Sequence, residues 1–319
     1  ILDNPHKVIL TARPMPGFNE GRDAAVADEL AAYKASLSEE QVRALVAETQ
    51  KLLARQNSED TPEEKATIPH LERSDVTGSF PEIPCQEEAL SGVTVLHHPL
   101  FTAGIYYTDM LLSLDHIDVD ELPYLSLLTS LIGAVDTENY SYSALSTAEY
   151  LTSGGIRITS RAIQDYHDPE KFSHKLLISS KTLSPEDVRG FLDLAWEQLT
   201  KSDFSDKKRF REVVQMLKNQ IQQGIFQQGH TVVAGRVTAY HSAYSRFNEY
   251  LNGLDFLFFL QELDNHFDER FAATLAKVQE LYSRLLTRRG MLVSVTGSDE
   301  SYAAIRPLLA DWLAQIPDV

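Results

Sequence analysis

Ten histidines and one cysteine are the residues of this chain that could ligate a metal or drive nucleophilic chemistry, and their spacing limits both. A zinc centre of the H-x-x-E-H kind needs two imidazoles on one helical face and a carboxylate beside them as base. The pattern is absent. The nearest approach is His266-Phe267-Asp268-Glu269-Arg270, where Arg270 stands in the second ligand's place. A guanidinium stays protonated and cannot ligate zinc, so this segment reads as a solvated helix start. His97 and His98 are adjacent in a strand-like run, point to opposite faces, and cannot chelate together. His116-Ile117-Asp118-Val119-Asp120 could attract a hard cation but lacks the Gly and the distal Glu of an EF-hand loop; it reads as a solvated loop. His167 and His174 flank a polar turn, and His230 and His241 lie along a helical tract. Each reads as an isolated surface or packing residue.

Cys85, between Pro84 and Gln86, has no basic neighbour to lower its pKa and reads as inert. A lone cysteine makes neither an internal disulfide nor a cysteine-based zinc site. It is compatible with a reducing compartment. The serine elbow G-x-S-x-G and both glycine-rich nucleotide motifs are missing. The residues therefore nominate no catalytic, cofactor-binding or metal-binding site. Two softer features remain. Residues 139–143, NYSYS, either line a site or supply serine caps to a helix. Residues 153–160, SGGIRITS, turn tightly into a strand that either takes an extended peptide on its edge or lies inside a sheet.

The elements that must carry these residues follow from periodicity. The 319 residues are 43% hydrophobic, enough for one large or two smaller domains with no disulfide or metal staple. The 29 Lys+Arg against 46 Asp+Glu give a net charge of −17, which excludes a duplex-binding footprint and disfavours anionic membrane surfaces. No apolar run approaches the roughly 18 residues of a membrane span. Residues 6–13 read as a strand and 14–17 as a turn. Two amphipathic helices follow, at 20–35 and 39–57, the second opened by a Ser38/Gln41 capping box. Leu37 is nearly the whole link, which predicts an antiparallel helical hairpin whose narrow stripes need another surface to cover them. A short helix starts at Pro62, and residues 66–91 read as irregular.

From Gly92 onward the order is a strand pair joined through residues 99–102, then helices at 122–132 and 143–153. A second strand pair at 155–182 follows, then a helical tract at 185–285 broken near Gly190, Ser202, Gly229 and Gly253. A last strand at 291–297 and a last helix at 298–315 close the chain. This is α+β, a mainly antiparallel sheet covered by helices on one side, preceded by the hairpin. Three segments are expected: 1–13, the last strand of a preceding domain; 14–85, hairpin and linker; and 86–319, the α+β domain. Both ends read as cuts in a longer protein.

Several stretches together resemble the presequence-protease, falcilysin-like branch of the insulinase (pitrilysin-type) zinc metallopeptidases. They are NPHKVILTARP at 4–14, residues 34–76, LHHPLFTAGIYYTDMLLSLDHI at 96–117, ELPYLSLLTSLIGAVDTENYSYSALS at 121–146, and TSGGIRITS at 152–160. The resemblance implies four homologous α+β domains in two halves, joined by a helical hairpin around a chamber. This chain would be that hairpin plus the third, non-catalytic domain. The segment matching the first domain's zinc helix is Leu122-Pro123-Tyr124-Leu125-Ser126-Leu127-Leu128, which holds no His or Glu. Zinc is therefore implied for the full-length parent and not for this chain, which alone would be inactive. The implied function is part of a zinc metalloendopeptidase that degrades unfolded peptides, this part forming a wall and a hinge. Implied partners are the parent's N-terminal catalytic half, its fourth domain and peptide substrates, with no nucleic acid and no membrane. An acidic wall would favour basic peptides. The compartment implied is a bacterial cytoplasm, or else an organelle matrix. The rival readings are a stand-alone binding or scaffold protein with the same fold, and an unrelated hydrolase.

Overall fold

Runs such as V-x-V-x-H, Y-x-T-x-M-x-L and V-x-V-x-G present every second residue to one face, and in the computed structural model six strands form one sheet. The structure describes residues 5–6, 8, 10–76, 78, 82–168 and 170–318. It comprises two compact units, Ile1–Phe80 and Pro81–Val319.

The first unit is helical. Helix α1 spans Phe18–Ser36 and α2 spans Glu39–Asn57, with Leu37 and Ser38 between them. Ser38 Oγ accepts the Gln41 N–H and Gln41 Oε1 accepts the Ser38 N–H, the capping box expected. Thr61 caps the short α3, Pro62–Lys65, in the same way. No residue of α1, α2 or α3 is buried, and Leu30, Tyr33, Val46 and Leu52 all stand exposed. The strand expected at 6–13 is corrected. Among its described residues none belongs to a strand, and Val8 and Leu10 are exposed; residues 7 and 9 lie outside the described residues. A strand is held by a neighbour that takes its N–H and C=O groups, and the described residues of the unit Ile1–Phe80 include no strand.

The second unit holds the sheet: β1 Gln86–Leu90, β2 Val93–Pro99, β3 Tyr106–Ser113, β4 Ile156–Gln164, β5 Phe172–Thr182 and β6 Leu292–Gly297. Their spatial order is β1-β2-β6-β3-β5-β4. Only β2–β6 is parallel, so the sheet is mainly antiparallel, as expected. The second strand pair is the predicted hairpin, β4 against β5. The first is corrected: β2 and β3 do not pair, because β6 lies between them. β6 buries Val293 and Val295 and so fits the centre of the sheet better than either edge. The stretch read as irregular contains β1, whose Gln-Glu-Glu start hides it from a hydrophobic pattern search.

Helices cover one face. They are α4 Leu122–Leu131, α5 Tyr142–Thr152, α6 Pro185–Thr200, α7 Lys207–Gln227, α8 Gly229–Thr238, α9 Ala243–Asn252, α10 Leu254–Asn265, α11 Phe267–Ser283 and α12 Asp299–Gln315. Helices α4 and α9 pack over β4, α6 over β5, and α12 over β2 and β6. Their apolar residues meet Val95, Met110, Leu112, Leu176, Ile178 and Val293 in one core. At about 25 cal/mol per Å² of apolar surface removed from water, that core dominates the stability of the unit. Leu122, Leu125, Leu127 and Leu128 are fully buried, which accounts for the apolar character of the 122–128 segment. Helix α6 runs unbroken through Gly190, against expectation. The absence of a Cβ there admits Thr152 of α5, whose Cγ2 would lie only 2.4 Å from an added carbon, far inside van der Waals contact.

Candidate functional site

The alternation that buries one face of the sheet leaves the other half-exposed, and its charged residues gather at the β3–β5–β4 end. Register places Asp109 of β3 opposite Ser179 of β5, and Ser179 opposite Arg157 of β4. Because paired residues share a face, all three lie on the open side. Tyr107 and Lys181 form the next row, with the Lys181 Nζ 5.6 Å from the Tyr107 ring centroid. Arg161 stands opposite Lys175. Tyr107, Asp109, Arg157, Arg161, Ser179 and Lys181 line a groove of about 610 Å³ that ends at Gly154 and Gly155. Gly155 has φ +96, a conformation that glycine adopts freely. The turn is tied to β5, since the Gly154 N–H donates to the Lys181 carbonyl at 2.8 Å and Ser180 Oγ to the Gly155 carbonyl at 3.2 Å.

The electrostatics of this groove run against the composition of the chain. Arg157, Arg161 and Lys181 make no ion pair within 4 Å with any described residue. Lys175 pairs with Asp115 at 3.6 Å. Asp109, half-buried, is held above its ordinary pKa by burial; the Ser179 hydroxyl and the two arginines pull the other way without cancelling it. The acidity of the whole chain is therefore not carried here.

A nucleophile and a base do meet on the covered face. Ser160 Oγ lies 2.6 Å from His174 Nε2, and the His174 ring packs edge-on against Phe247 at 4.7 Å. Burial holds His174 down at about 4, with Asp115 opposing it. Such an imidazole is a weak base at neutral pH. No carboxylate of a described residue bonds its Nδ1, since Asp115 Oδ1 takes the His174 backbone N–H instead. The pair lacks the orienting acid of a hydrolytic triad.

The other histidines weighed for metal ligation are placed as follows. His97 is buried, stacked on Tyr302 at 4.3 Å, with Nε2 3.0 Å from the Gly297 carbonyl. His98 points to the opposite face, toward the Pro84 carbonyl. His266 sits between α10 and α11 near Glu262 and Glu269, while Arg270 bonds Glu262 at 2.8 Å. The 116–120 loop leads into Glu121, which Lys277 and Arg284 hold at 2.7 and 3.0 Å, bringing its pKa down to about 2 against the cost of burial. His167, His230 and His241 are exposed, as is Cys85. Among the described residues no group of three or more His, Cys, Asp or Glu is placed to hold a metal ion. Of the two softer features, NYSYS contributes Ser141 as the N-cap of α5, accepting from the Ala144 N–H. SGGIRITS leads into β4, the terminal strand of the sheet. The cationic groove was not read from the sequence. Its one local signal is Arg157 and Arg161 at even spacing within a strand.

Fold and groove define an α+β module with a mainly antiparallel sheet, one face under helices and the other open. The chain belongs to the family of domains associated with M16 peptidases of subfamily C, whose model matches residues 13–263. It is 28% identical over 304 residues to Protein HypA of Clostridium perfringens, covering 95% of this chain and 31% of that protein. It is 24% identical over 322 residues to presequence protease 1, chloroplastic/mitochondrial, of Arabidopsis thaliana, covering 100% of this chain and 29% of that one. The chain thus spans about a third of the length of these curated relatives. A conserved protein from Enterococcus faecalis V583 shares the fold, with a TM-score of 0.52 at 12% identity over 73% of this chain and 53% of its own. The family agrees with the resemblance drawn from residues 4–160, a presequence-protease-like peptidase of insulinase type. Among the described residues no helix is long and apolar enough to cross a membrane.

Proposed function

We propose that this chain is the non-catalytic wall and hinge of a zinc metalloendopeptidase that degrades unfolded peptides inside a closed chamber. The observation that carries this reading is the family match over residues 13–263 joined to a buried, ligand-free Leu122–Leu128 segment. The residues of this chain do not fit a catalytic zinc. The helix matching the zinc helix is filled with leucines that belong to the core, and no His or Glu stands in it. The metal and the general base therefore belong to the remainder of the parent, and no catalytic step runs through the residues described above.

In this reading residues 1–13 are the end of a preceding domain, 14–85 the hairpin and linker, and 86–319 the wall. The open apolar stripes of α1 and α2 support it, because a hinge helix pair needs partners outside itself. The partners would be the parent's catalytic half and its fourth domain, with peptides as substrates. The compartment would be a bacterial cytoplasm or an organelle matrix. The test has two parts. After dialysis against trace zinc, elemental analysis of the purified chain is expected to find no stoichiometric metal, and an unfolded reporter peptide is expected to stay intact. Adding the separately produced part of the parent that carries H-x-x-E-H should bring cleavage back. One tightly held zinc per chain, or cleavage by the chain alone, would overturn the assignment.

A further inference from the structure

The β4–β5 ribbon carries four cations on one face: Arg157 and Arg161 on β4, Lys175 and Lys181 on β5. Arg161 and Lys175 stand directly opposite one another, an arrangement that costs stability when nothing anionic lies between them. Of the four, Lys175 has a carboxylate partner within 4 Å among the described residues. The chain has 46 Asp+Glu against 29 Lys+Arg, yet no carboxylate of a described residue closes to within 4 Å of Arg157 or Arg161; Asp109, on the same face, feels both charges without pairing. Both arginines are exposed at the mouth of the groove. Strand β4 is terminal and pairs with β5 on one side only. The Gly154–Gly155 turn adds no side chain of its own where the strand begins, and the Ile156 N–H there is taken by Glu149.

We infer that the outer edge of β4 takes an extended acidic peptide segment by strand addition, with its alternate Asp or Glu side chains turned onto Arg157 and Arg161. The geometry sets the ligand. A strand advances about 3.3 Å per residue and shows every second side chain to one face, so acidic residues at even spacing meet the two arginines. Main-chain pairing supplies binding and the guanidiniums supply selection, each able to hold a carboxylate through two parallel N–H donors. This goes beyond the wall-and-hinge reading and does not need it: the groove lies within this chain, and the binding is read without cleavage.

The test is fluorescence anisotropy with the whole 319-residue chain and short labelled peptides. An alternating Glu-Thr peptide is expected to bind, and more weakly as salt rises. An alternating Lys-Thr peptide should not bind. Arg157→Gln with Arg161→Gln should weaken binding at least about tenfold, whereas Arg157→Lys with Arg161→Lys should retain most of it. Lys34→Gln with Lys51→Gln, the same charge change on α1 and α2, should leave it unchanged. Both arginines are exposed, and superimposable circular dichroism melts would certify each variant. Three results would overturn the proposal: equal binding of the Lys-Thr peptide, indifference to the double glutamine variant, or undiminished binding of a Glu-Pro peptide that cannot pair with the strand. Displacement of the peptide by inorganic phosphate at equal concentration would also overturn it, reducing the site to a simple anion patch. Failure of cleavage to return in the complementation assay would leave this result standing.

Discussion

Glu149 shows how one side chain can make the fold sensitive to pH. It lies on α5, part-buried, with its Oε1 accepting from Gln198 Nε2 at 2.9 Å. No cation of a described residue pairs with it. Burial therefore wins over the Gln198 and Ile156 N–H donors, and its pKa is pushed up to about 7. In the unfolded chain the group reverts to an ordinary carboxylate, so the folded state favours the proton. The stabilisation is full below about pH 4.5 and is lost as pH rises through about 7. The amount is roughly 1–3 kcal/mol, reduced because the side chain reaches some solvent. Glu149→Gln keeps an acceptor for Gln198 and removes the charge. From pH 5 to pH 8 the urea midpoint of the parent chain is expected to fall relative to that of this variant, the opposing contribution of His174 being common to both. An equal change in both would show that another group sets the slope. The sign is opposite to that of His174, whose lowered pKa removes stability as the pH falls from about 6.5 through about 4.

At the scale of elements, periodicity revealed the helices well and the strand pairing less well. Helix α2, its cap at Ser38 and the start of α3 at Pro62 were legible because each rests on residues within one turn of each other. The β4–β5 hairpin was legible because a short polar turn joins two alternating runs. The place of β6 was not, since nothing within Leu292–Gly297 says that it slots between β2 and β3, far earlier in the chain. The groove shared that fate. Arg157, Ser179 and Asp109 are scattered in sequence, and only the registers of three strands align them. Gly190 was misread as a break because a glycine inside a helix costs about 1 kcal/mol, and the compensating contact lies on another helix. Gly190→Ala would therefore act against the usual helix preference. Its methyl group meets Thr152 Cγ2, and a loss on the order of 1–3 kcal/mol is expected in denaturant unfolding. Thr152→Ser, which deletes that methyl, should recover most of the loss. Stabilisation by Gly190→Ala alone would mean that α5 and α6 can move apart.

At the scale of the whole molecule the two units differ in how they are held together. Every described core residue, from Leu90 to Ile316, belongs to Pro81–Val319. That unit has its own ion-pair clamps, such as Glu121 between Lys277 and Arg284 and Asp264 bonded by Lys218. The first unit has helices with exposed stripes, the second of them well capped, and helices of about this length are marginal in water without packing. Composition gave no warning of this, because the apolar residues of α1 and α2 count toward the 43% just as core residues do. The difference predicts independent behaviour on truncation. Removing residues 1–80 strips no described residue from the core, so Pro81–Val319 should fold alone. Its calorimetric Tm should match that of the whole chain to within about 2–4 °C, the shift that roughly 1 kcal/mol produces at this size. The helical signal of α1 and α2 in the whole chain should melt earlier and with little cooperativity. A single shared transition, or a Tm lowered well beyond that window by the truncation, would show that the helices of the first unit contribute to the stability of the second.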